Sequence, residues 1–132
     1  MIKALFATFG LMVIFCVNAV GGQIEGRLWP VTTPGTLTHV VPVGETRSRI
    51  WGASERLREC AFDHIVWYWG IPFKHARADL ILEEATKVRG DGAFTFGPWL
   101  VQLTPTQLTE RSYAIVYHRC HLFWLTETRF FG

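Results

Sequence analysis

The sequence predicts an all-β fold, a small antiparallel β-sandwich set behind an apolar N-terminal segment. Three observations carry this expectation. Short runs of alternating apolar residues recur roughly every 10 residues in the second half of the chain. Glycine and proline punctuate them, as at Gly70-Ile71-Pro72 and Gly97-Pro98. Cys60 and Cys120 form an even pair in what reads as an exported domain. The 132 residues suffice for one domain. With 49% apolar and 14% aromatic residues the chain can bury a core, which argues against disorder. Thirteen basic against 11 acidic residues leave +2, with no run of like charge and no nucleic-acid footprint.

Met1-Ile2-Lys3 opens the chain with one lysine, and Ala4 to Gly22 then carries no charge. Val17-Asn18-Ala19 has the small-x-small pattern that signal peptidase reads. Residues 1–19 are therefore expected to be a signal peptide. The alternative is an uncleaved membrane anchor reaching to about residue 22, because the uncharged stretch rises ~1.5 Å per residue to ~28 Å, about one hydrocarbon core. Cleavage predicts a secreted or periplasmic protein. Retention predicts a single-pass protein with its C-terminal domain outside the cytoplasm. Cys16 lies in this segment behind the large Phe15, which does not suit a lipoprotein site.

Setting Cys16 aside leaves Cys60 and Cys120, read as a disulfide. It would close a loop of about 60 residues and contribute roughly 3–5 kcal/mol. Zinc is the competing reading, with His64, His118 and His121 near the two cysteines. The spacing argues against it, since on a strand His118 and Cys120 share a face while His121 points away. No metal and no cofactor are expected. Cys120 with His118 or His64 is also formally available as a catalytic pair, but an oxidised cysteine is no nucleophile.

Residues 20–50 read as an extended lead-in, broken by Pro30, Pro34, Gly35, Pro42 and Gly44, with Leu37–Val43 as an edge strand. The β-sandwich domain is assigned to 51–132. Arg47–Arg58 is charged and reads as a short helical turn or loop. Glu59–Trp69 is the clearest strand, apolar on both faces. Arg77–Arg89 fits a helix or a strand, and its alternation favours the strand. Gly90-Asp91-Gly92 makes a hairpin turn. Ala93–Phe96 and Trp99–Leu103 follow as two short strands, broken at Gly97-Pro98. Thr104–Thr109 reads as a loop, Arg111–His121 as the second strong strand, and Leu122–Phe131 as a further apolar, aromatic segment.

The stretch Cys60–Cys120 resembles the immunoglobulin-like class. It has a cysteine, a tryptophan seven or nine residues later (Trp67, Trp69), and a tyrosine-rich strand ending in the second cysteine. It departs from that class in two places. The usual tryptophan lies further along, on the next strand, and His118 stands where a tyrosine is expected two residues before Cys120. The resemblance implies architecture and no particular activity. The ending Tyr113-x3-Tyr117-x2-Cys120-His121 also resembles small exported proteins of bacteriophages.

These readings point to an exported, non-catalytic binding or structural domain at a cell envelope, a particle surface or outside the cell. Its partner would be a protein or a glycan, not nucleic acid, with a membrane involved only if residues 1–22 are retained. Trp67, Trp69 and Trp124 are the candidate contacts, as an exposed aromatic strip. Arg89-Gly90-Asp91 is the integrin-binding tripeptide, but Gly-Asp-Gly is equally what a turn requires. Glu83-Glu84 and Asp79/Glu83 read as solvated carboxylates. One alternative is a membrane-anchored accessory protein. A less favoured one is a small exported hydrolase using His64 or His118 with Asp63.

Overall fold

The computed structural model describes residues 1–83, 87–88 and 92–132. Helix α1 (Ile2–Leu28) comes first. It has no internal proline, and the uncharged stretch Ala4–Gly22 runs through it without a break. After it come β1 (Thr36–Val43), β2 (Arg47–Glu55), β3 (Ala61–Ile71), β4 (Lys74–Ala78), β5 (Leu80–Leu82), β6 (Lys87–Val88), β7 (Ala93–Val101), α2 (Pro105–Glu110), β8 (Ser112–Arg119) and β9 (Thr126–Phe131).

The strands form two antiparallel sheets. One has the order β1-β2-β7-β5, with β6 also on β7; the other is β4-β3-β8-β9. Ile50, Phe96 and Val101 from the first meet Trp67, Val116 and Phe130 from the second in one apolar core. Phe96 lies 4.5 Å from Trp99 and 5.1 Å from Phe130 between ring centres, so aromatic packing dominates the middle. The all-β, two-sheet expectation holds, and so does the Cys60–Cys120 disulfide, with Cα atoms 4.6 Å apart.

That bridge stands just outside Ala61 and Arg119, which face each other on the neighbouring strands β3 and β8. It therefore staples one sheet at its end. The immunoglobulin-like bridge would cross between sheets, so the resemblance stops at the architecture.

Several local expectations are corrected. Arg47–Arg58 is mostly strand β2, because Ser48, Ile50 and Gly52 are buried in strict alternation while charged neighbours mask the period. The break expected at Gly97-Pro98 is a register irregularity opposite Trp51 within one continuous strand, β7. It keeps Phe94 and Phe96 before it, and Trp99 and Val101 after it, in the core. Thr104–Thr109 is mostly helix α2. The Thr104 hydroxyl accepts from the Gln107 amide, the Gln107 side chain accepts from the Thr104 amide, and Pro105 begins the first turn. The lead-in 20–50 is not simply extended: α1 persists to Leu28, and β1 and the start of β2 follow. Leu37–Val43 is an edge strand as expected, within β1. The described part of 77–89 is strand rather than helix; β4 lies in one sheet and β5, just past Asp79, in the other. Arg89-Gly90-Asp91 and Glu84 lie outside the described residues.

Candidate functional site

The candidate surface is built where α1 meets the second sheet. Strand β9 is the last in its sheet, so its outer backbone edge needs a cover. The end of α1 supplies it, with Gly21, Gly22 and Gly26 buried. A Cβ on Gly21 would stand 2.8 Å from the Trp124 ring. On Gly22 or Gly26 it would overlap the backbone oxygens of Leu125 and Glu127. Gly22 and Gly26 are four residues apart and so share one helix face. Only glycine lets the helix backbone approach the strand this closely.

Glu25 lies between these glycines and carries the polar part of the contact. Its carboxylate accepts from Arg58 at 2.9 Å, from His121 Nε2 at 2.8 Å and from Trp124 Nε1 at 2.7 Å. Burial pushes its pKa up, but the bonds from His121, Trp124 and Arg58 outweigh that and hold it at about 2. Arg58 also donates to the Trp29 carbonyl at 2.9 Å, which ties down the helix end.

The outward face of β4-β3-β8-β9 carries paired rings. His64 stacks on Tyr117 at 4.2 Å, and Tyr68 on Tyr113 at 5.0 Å. The Tyr113 hydroxyl and His75 Nδ1 share a hydrogen bond of 2.8 Å, and the Arg129 guanidinium lies 5.0 Å from the Tyr113 ring centre. Burial, then Glu127 and Tyr68, push the Tyr117 phenol well up. Burial and Tyr68 push Tyr113 up against the opposing Arg129. Both phenols therefore stay neutral at ordinary pH and offer hydrogen bonds. Beside them opens a cleft of about 540 Å³. Gly26, Arg27, Phe73, His75, Tyr113 and Arg129 are among the residues that line it. Phe73 is fully exposed at φ 72°. Such a cleft offers ring faces, neutral hydrogen-bonding groups and two guanidinium groups to a ligand.

The three tryptophans expected to form one exposed strip do not do so. Trp67 is 0% exposed and belongs to the core. Trp69 is 43% exposed, and Trp124 is half-buried against α1. Strand alternation does not distinguish a buried indole from an exposed one when both faces of the strand are apolar.

Both sulfurs are consumed by the disulfide, so the thiolate zinc arrangement is not the one formed. His64 pairs with Asp63 at the surface, while His118 is buried, its pKa lowered to about 4 by burial. Neither histidine lines this cleft, nor does Asp63. Glu83, read as a solvated carboxylate, pairs with Arg49 at 3.0 Å. The sequence reading missed Gly22, Glu25 and Gly26. The four-residue glycine spacing around a single carboxylate, just past the uncharged stretch, was the available signal.

No known protein-family model, curated protein or solved structure matches the chain.

Proposed function

We propose that the chain is a membrane-anchored binding domain. In this reading it keeps its N-terminal span and holds the β-sandwich just outside the cytoplasmic membrane. The observation that carries this is the course of α1. The helix runs unbroken through Val17-Asn18-Ala19, and its end is fixed by glycine contacts to β9 and the loop before it, and by Glu25 to that loop. Peptidases act on extended backbone, and here that backbone is helical, with the Asn18 side chain donating to the Ile14 carbonyl at 2.9 Å. Its apolar side chains, Phe6, Phe9 and Phe15 among them, are exposed, which suits lipid and not water. Glu25 is the first charged residue after Lys3 and belongs to the domain contact. The disulfide favours an oxidising compartment for the sandwich.

The binding work is assigned to the cleft and the paired rings beside it, with a protein segment or a glycan as partner. A second reading, export with cleavage after Ala19, is favoured by the small-x-small pattern. Gly21, Gly22, Glu25 and Gly26 all lie beyond that point, so the docked turns would survive it.

The test is the intact mass of the chain expressed with its own N-terminus, after membrane fractionation and alkaline washing. A full-length mass in the washed membranes, with Cys60 and Cys120 alkylated only after reduction, is the expected result. A soluble chain beginning at Val20 would establish the second reading instead.

A further inference from the structure

We propose that the loop tip Leu122-Phe123 is a second membrane contact, seated in the lipid interface beside the span. The inference rests on the retained anchor. Leu122 is 91% exposed and Phe123 76%. Single exposed apolar residues are ordinary, but the position of this pair is specific. The residues on either side, His121 and Trp124, are both bonded to Glu25, at 2.8 and 2.7 Å. The tip is thereby pinned to the helix within one turn of the last residue of the uncharged stretch.

Direction follows from the packing order. Trp124 lies on Gly21, Leu125 meets Gly22 and Glu127 meets Gly26. The chain from Trp124 into β9 therefore runs along α1 away from the span, with Trp124 at the end nearer the span. Phe62, 54% exposed, sits at the same end of the sheet, opposite His118 and near the disulfide. The Trp124 indole, with an apolar body and its N–H bonded, suits the level where lipid meets water. A bilayer is the occupant that a spanning helix necessarily brings to this spot. The tip and the span together would fix the tilt of the sandwich and the direction in which its cleft opens.

The test uses the full chain with Cys16→Ser, reconstituted in vesicles of phosphatidylcholine and phosphatidylglycerol. Nitroxide labels are placed one at a time through Phe9→Cys in the span, Leu122→Cys at the tip and Glu110→Cys at the end of α2, just before the far end of β8. Intact mass checks that Cys60–Cys120 stays closed. Collisions with dissolved oxygen and with an aqueous nickel chelate report the depth of each label. The expected result is oxygen-dominated relaxation at 9 and 122 and nickel-dominated relaxation at 110. Lipid at 9 with water at 122 would overturn the tip contact and leave the anchor standing. Water at both would overturn both. Immobilisation of the 122 label without oxygen access would mean a protein contact, and would also overturn the proposal.

Discussion

The Trp124 indole donates to the Glu25 carboxylate at 2.7 Å, across 99 positions of sequence. This bond fastens the helix to the loop between β8 and β9, and Arg58 and His121 complete the set. Replacing Glu25 by glutamine should lower stability by about 1–3 kcal/mol, because partly buried donors lose a charged acceptor. Urea unfolding of the full chain in detergent measures it, and an unchanged midpoint would show the hub to be energetically idle.

The same carboxylate predicts an acid limb. Its folded pKa, about 2, lies below the ordinary 4.5. Its contribution is therefore complete above pH 4.5 and is lost as pH falls toward 2. Wild-type stability should drop across that window, and Glu25→Gln should flatten the drop. Parallel curves for the two proteins would assign the acid limb to other groups.

His118 predicts a second, higher window. Burial lowers its pKa from 6.5 to about 4, so the unfolded chain binds its proton first. Its contribution is full above pH 6.5 and disappears as pH falls through 4. An NMR titration should place its imidazole midpoint near 4. His118→Phe should remove the stability slope between those values, and an imidazole midpoint at 6.5 would contradict the buried placement.

Glycine substitutions separate docking from helix formation. Gly26→Ala forces a methyl group into the Glu127 carbonyl and should cost ~1–3 kcal/mol as overpacking. Gly10→Ala meets nothing within 4 Å and should be neutral or favour the helix. Equal effects at the two positions, read by thermal unfolding in detergent, would remove the argument for close helix–strand contact.

Trp67→Ala should cost ~3–5 kcal/mol by opening the core. Trp69→Ala, at a half-exposed position, should spare the fold. Circular dichroism of the two variants decides this, and a tolerated Trp67→Ala would mean that the core packs differently.

The outcome at individual residues shows what was legible in sequence. By itself the sequence determined the helix-long uncharged stretch, the strand character of Glu59–Trp69 and Arg111–His121, and the pairing of Cys60 with Cys120. Each of these depends on neighbours along the chain, or on there being one partner left to choose. Thr104 and Gln107 were equally local, and their capping pattern was legible though unread. The tertiary structure alone decided that Trp67 is core, that Trp124 lies against α1, and that Glu25 is a hub. Those outcomes depend on the register of α1 against β9 and on partners 33 to 99 positions away. Side-chain periodicity records which face a residue takes on its own element, but not which distant element covers that face.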